Sequence, residues 1–238
     1  MEIAIGGSEV SQSDEISYEE PNHLIDLNEY DRIISIGNKC PTDLILTKKI
    51  RWLRKKRGPA YPFGSIPTQP HLILRYIKET YEGNPLPHGF LDLDERYRNP
   101  DDVWFGHYAK MGASDRVNMF QGRFARLHET FKSDLRILLM YTSEADVYNE
   151  MGSRYRDNYA DLLELRDYLL STYPEINFDM MLIHTNKKYE DENRVFNYTM
   201  TVPDRYWTET EPEGNRPYFT KPYRNTLADY VKKIFKMQ

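Results

Sequence analysis

Two apolar runs separated by an amphipathic stretch constrain this chain more than any other feature. Residues 135–141 read Leu-Arg-Ile-Leu-Leu-Met-Tyr, and residues 178–183 read Phe-Asp-Met-Met-Leu-Ile. Between them, over 157–173, Tyr159, Leu162, Leu165 and Leu169 recur at helical spacing. Continuous apolar runs suit strands covered on both faces. A strand-helix-strand unit of this size pairs its strands in parallel through a right-handed crossover. The expected fold class is therefore α/β: a three-layer, mostly parallel sheet with helices on both faces.

Further elements fit around this unit. Residues 33–36 form a short buried strand through Ile33, Ile34 and Ile36. Helices are expected over 69–82, 115–132 and 225–236, the second with Ser114 as its cap. In that second helix Val117, Phe120, Phe124, Leu127 and Phe131 share one face. Residues 103–108, which include His107, read as a short strand. Over 194–202, Phe196, Tyr198, Met200 and Val202 alternate with Asn197, Thr199 and Thr201, the pattern of a half-buried edge strand. Residues 203–223 read as a Pro- and Tyr-rich loop. Residues 1–28 are acidic, Ser-rich and without periodicity, and are expected to be a disordered leader to a single domain over 29–238.

Composition narrows the function. With one cysteine among 238 residues, the chain has no internal disulfide and suits a reducing compartment. It has no secretory signal pattern and no run long enough for a membrane span, so a cytoplasmic location is expected. A formal net charge of -5 speaks against general affinity for nucleic acid. Oligomeric state is left open. There is no Gly-x-Gly-x-x-Gly fingerprint, phosphate loop or paired-cysteine zinc pattern, so no cofactor and no metal are expected. Asp92 and Asp94 form an Asp-x-Asp pair, which can serve metal-assisted sugar-nucleotide chemistry but is common by chance.

The one cysteine, Cys40, follows Gly37, Asn38 and Lys39 and precedes Pro41. Gly37 and Asn38 break the strand, and Pro41 suits the first turn of a helix. Cys40 thus falls at a loop-to-helix junction, where orphan N–H groups and the helix dipole favour a thiolate. It also fits a small buried hydrophobe. The helix runs into 48–57, where seven of ten residues are basic. That run reads as a solvated face or as an anion site.

Ligands of open α/β sheets gather beyond the carboxyl ends of the strands. Applied here, that edge collects the Gly37–Cys40 loop, the loop at Thr142, Ser143 and Glu144, and the loop at His184, Thr185 and Asn186. A cysteine nucleophile needs a base within reach and a group to orient it. His107 and His184 are the two candidate bases, and Asp94, Asp101 and Asp102 precede His107. Arg116, Arg123 and Arg126 lie off the apolar stripe of their helix and could reach an anionic group.

The segment Ile33-Ile-Ser-Ile-Gly-Asn-Lys-Cys40, a basic helix, and then Tyr61-Pro-Phe-Gly64 resemble a family of papain-like cysteine peptidases. Its members carry Ile-Ser-Leu-Gly-x-x-Cys, then Pro-Phe-Asp-Trp, then a histidine and an Arg-rich helix leading into a strand. Here the later places are filled by Trp104-Phe-Gly-His107, by Gly122 to Leu127, and by Ile137 to Met140. The likeness covers roughly residues 31–145. It implies a cysteine-dependent hydrolase or acyl transferase with Cys40 as nucleophile, His107 as base and Asp102 or Asp101 as orienter. Asn38, Lys39, Arg123, Arg126 and His184 would contact a small-molecule, peptide or glycan substrate. One departure is plain: Gly64-Ser65 stands where the family has Asp-Trp, which removes a carboxylate. The resemblance also implies a setting among glycan-assembly enzymes. A glycan-modifying transferase using a nucleotide-sugar or acyl donor is thus the alternative, and a catalytically silent binding protein of the same fold is the third reading.

Overall fold

The structure is a computed structural model that describes residues 8–9, 15–36, 50–64, 66–142, 159–203 and 221–236. Its strands are β1 (Ser8–Glu9), β2 (Ser17–Tyr18), β3 (Arg32–Ser35), β4 (Arg136–Thr142), β5 (Asn177–Thr185), β6 (Lys187–Lys188) and β7 (Val195–Thr201). The helices are α1 (Arg51–Arg57), α2 (Pro70–Tyr81), α3 (Ala113–Phe131), α4 (Tyr159–Thr172) and α5 (Lys221–Ile234).

Five strands form one sheet in the order β2-β7-β5-β4-β3. The β3–β4, β4–β5 and β5–β7 pairs are parallel, and only β2 is antiparallel. The architecture is α/β with a mostly parallel sheet. Central strands carry no polar alternation because successive side chains enter two different cores. Ile137, Leu139 and Tyr141 of β4 join a cluster with residues of α2, α3 and α4. Leu138 and Met140 join a second with Leu53 of α1 and Leu227, Tyr230 and Ile234 of α5.

Pro70 opens α2 where no N–H is needed, and Gly83, at φ 104°, follows its end. Helix α3 begins at Ala113 with Gly112 as its cap, so Ser114 lies inside the first turn and caps nothing. Phe120, Phe124, Leu127 and Phe131 are buried as their spacing requires.

Three expectations are corrected. Residues 103–108 do not form a strand. Trp104 makes an isolated bridge with Arg98, and Gly106–Tyr108 is a 3-10 turn. Strand β7 is not at the edge, because Ser17 and Tyr18 pair with Thr201 and Met200. Its polar side is buried too: residues 186–194 return beside it, and Asn197 and Thr199 bond to the backbone carbonyls of Glu190 and Lys187. The disordered leader expected over 1–28 does not hold for residues 8–9, where β1 pairs antiparallel with β6, or for residues 15–28. Tyr18 stacks on Tyr230 with ring centroids 4.4 Å apart, and Ile25 is buried and donates its N–H to the Ile234 carbonyl. Such contacts depend on distant partners, which local composition does not reveal. The helical turn expected over 41–49, Ser143 and Glu144, and the loop over 204–220 lie outside the described residues.

Candidate active site

Strands β3, β4 and β5 run parallel, so their carboxyl ends face one edge of the sheet in steps, β4 continuing to Thr142 and β5 to Thr185 beyond the level of Ser35. Ser35 pairs with Met140, Met140 pairs with Met181, and the Ile36 N–H extends the ladder to the Met140 carbonyl at 2.9 Å. The condition for a shared carboxyl edge is met, although β4 intervenes, so β3 and β5 are two strand spacings apart, roughly 10 Å. Cys40 is four residues beyond Ile36 in the sequence. Asn38, Lys39 and Cys40 themselves lie outside the described residues. At the end of β3 the Ser35 hydroxyl is buried without a hydrogen-bond partner among the described residues, which is uncommon for a hydroxyl.

His107 sits exposed in the 3-10 turn. Its ring meets the Trp104 indole edge-on with centroids 5.3 Å apart. The indole lies over Gly106 so closely that a Cβ there would stand 1.9 Å from Trp104 Cζ2. Trp104 is nonetheless 38% exposed. An aromatic wall is therefore held beside an accessible imidazole, a feature sequence reading did not single out. Its only signal was an aromatic residue next to a glycine.

Asp102, with φ 62°, accepts from Arg98 Nη1 at 2.8 Å. Asp101 accepts from Arg75 and from the Tyr76 hydroxyl, the latter at 2.6 Å. That bond and burial push the Tyr76 hydroxyl above its usual range, burial being the larger cause. Asp101 thus ties the 99–103 loop to α2. Asp94 accepts from the N–H groups of Arg96 and Arg98, a turn-forming role. Among the described residues no group of three or more His, Cys, Asp or Glu could hold a metal ion.

The three arginines of α3 hold neighbouring segments, and Arg116 Nη1 donates to the Tyr108 carbonyl at 3.1 Å. Arg123 Nη1 donates to the Tyr108 hydroxyl at 2.7 Å and its guanidinium lies over the Tyr108 ring. Arg126 Nη1 donates to the Ala60 carbonyl at 2.7 Å, and Tyr61 meets Thr130 one turn on. The Arg-rich helix therefore fastens both the 60–64 segment and the turn that carries His107.

His184 is part of β5 and not of a loop, and it is 2% exposed. Its Nε2 is 2.8 Å from Asn197 Oδ1, and its ring packs against Tyr159 and Tyr189. Asn197 donates in turn to the Tyr159 hydroxyl at 3.0 Å. Burial is the main reason the Tyr159 hydroxyl is pushed up to about 12. Residues 186–194, which no periodicity flags, supply Tyr189 and so enclose His184.

No family model matches the chain, and no curated protein or solved structure matches it either.

Proposed function

We propose that this chain is a cysteine-dependent hydrolase or acyl transferase acting at the carboxyl edge of its sheet. The observation that carries the reading is the parallel run of β3, β4 and β5 towards one edge of the sheet, with the only cysteine of the chain four residues past Ile36. Cys40 Sγ attacks the carbonyl carbon of an acyl substrate, and backbone N–H groups around it hold the oxyanion. His107 takes the thiol proton and passes it to the leaving group. Water or an acceptor hydroxyl then attacks the thioester, frees the acyl group and returns the proton to the thiol.

His107 is preferred to His184 as base because it is exposed, whereas His184 is enclosed by Tyr159, Tyr189 and Asn197. The short link from α3 to β4 supports this. It sets the C-terminal end of α3 beside the start of β4. Nineteen residues, about 28 Å of helix, then carry the other end, and the His107 turn before it, away from that edge of the sheet. The unpaired Ser35 hydroxyl is a ready polar contact for the substrate at the end of β3.

The finer features belong to the same reading: a three-layer arrangement, an acidic N-terminal leader, a small-molecule, peptide or glycan substrate, and a cytoplasmic setting suited to a free thiol. Among the described residues no helix is long and apolar enough to cross a membrane. The glycan-transferase alternative draws on exposed Arg54 and Lys55 of α1, which could meet a donor phosphate.

The experiment is acyl trapping with p-nitrophenyl acetate followed by intact-mass spectrometry. A single acetyl adduct, sensitive to hydroxylamine and absent from Cys40→Ala, is expected. Equal labelling of Cys40→Ala would refute the reading.

A further inference from the structure

The loop after α2 and the exposed side of α3 line a groove of about 490 Å³. That is within the about 300–1,000 Å³ of small-molecule sites. In a chain with 29% charged residues, no Asp, Glu, Lys or Arg among the described residues lines it. Asn84, Asn118 and Gln121 bring three carboxamides to its walls, and Pro85 and Ala125 add apolar surface. Asn118 and Gln121, three residues apart on one helix face, make no hydrogen bond to the described residues. Asn84 is fixed by donating to the Glu79 carbonyl at 2.9 Å.

Gly122 explains why the groove is open. It lies within α3 at an ordinary φ, and a Cβ added there would meet nothing within 4 Å. Neither backbone geometry nor packing demands glycine, which is a poor helix former. Its absent side chain leaves room between Asn118, Gln121 and Ala125. At the far end His128 adds a neutral imidazole. Its Nε2 is 2.8 Å from Thr80 Oγ1, and that hydroxyl already donates to the Tyr76 carbonyl. Nε2 must therefore carry the proton.

We propose that this groove binds a neutral, hydroxyl-rich ligand, a saccharide, through the carboxamides of Asn118, Gln121 and Asn84. Each carboxamide offers a donor and an acceptor, which matches vicinal hydroxyls. The apolar face of a sugar ring would rest on Pro85 and Ala125. The uncharged lining gives nothing to a phosphate or carboxylate. This site is independent of Cys40.

The test is a titration of the ¹⁵N-labelled chain with glucose, cellobiose and N-acetylglucosamine, with glucose 6-phosphate as the charged comparison. Side-chain NH₂ signals of Asn118 and Gln121 should shift with at least one neutral sugar at millimolar concentration. Affinity should fall at least about tenfold in Gly122→Leu, whose side chain fills the groove, and in Asn118→Ala with Gln121→Ala. Cys40→Ser should bind as the unsubstituted chain does. Absence of any shift with all three sugars at tens of millimolar, or binding that survives Gly122→Leu, would overturn the proposal.

Discussion

His128 Nδ1 lies 2.6 Å from the Tyr173 hydroxyl, joining α3 to the turn that follows α4. Since Nε2 holds the ring proton, Nδ1 accepts from Tyr173, and the imidazole is neutral with both nitrogens used. Burial, and then the nearby Lys132 ammonium, lower its pKa from 6.5 to about 4. The folded state therefore resists protonation that the unfolded chain accepts near pH 6.5. The stabilisation is complete above about 6.5 and is lost as pH falls towards 4, on the order of 3 kcal/mol in total. Urea unfolding at a series of pH values should show this decline, and His128→Phe should remove most of it. An identical decline in the variant would reject the assignment.

Gly106→Ala should displace Trp104 without unfolding the chain, because the indole is at the surface and can swing outward. The emission should shift to the red, with greater quenching by acrylamide. Trp104→Phe serves to assign the change among the three tryptophans. If His107 acts as base, Gly106→Ala should also slow turnover. Unchanged emission would mean that Trp104 does not lie over Gly106.

Asp179 gathers the Tyr30 hydroxyl at 2.8 Å and Arg136 at 3.3 Å near the start of β5. The carboxylate is buried while Arg136 remains 37% exposed, so solvent softens the loss of the pair. Asp179→Ala should cost about 2–3 kcal/mol, and Tyr30→Phe about 1 kcal/mol. A double-mutant cycle by denaturant unfolding should show coupling between them, and strict additivity would contradict the contact.

The acidic segment provides another contrast. Deletion of residues 1–14 removes only the two-residue β1–β6 pairing outside the main sheet and should lower the thermal midpoint little, whereas deletion of 1–25 also removes β2, the Tyr18–Tyr230 stack and Ile25. Ile25→Ala alone should cost about 2–4 kcal/mol. Equal midpoints for the two deletions would contradict the packing of residues 15–25.

These contrasts show which features were legible in the sequence. Helices α2, α3 and α4 and strands β4 and β5 were legible to within a few residues, because burial on one stripe or on both faces writes itself into local periodicity. Partners were not. Asn197 and Thr199 read as solvent-facing because nothing local says that residues 186–194 return beside them. Ser17 and Tyr18 carry no period at all, since a two-residue edge strand cannot show one. Of the candidate site, the strand end before Cys40 was legible and the parallel pairing of β4 and β5 followed from the crossover, whereas the direction and place of β3 did not. The hold of Arg123 on Tyr108, the seat of Trp104 on Gly106 and the enclosure of His184 are tertiary contacts with no spacing signature. His128, four residues after Phe124 on the buried side of α3, could have been flagged by its position.

Alkylation of Cys40 by iodoacetamide in the folded chain, followed across pH, tests the central claim most directly. A nucleophile at the edge of the sheet should react substantially below about pH 7, where an ordinary thiol of pKa about 8.5 is largely protonated. The reaction should slow in His107→Ala and be unaffected by His184→Ala. A thiol that reacts only once the chain is denatured would be a core residue, and the proposed mechanism would fail.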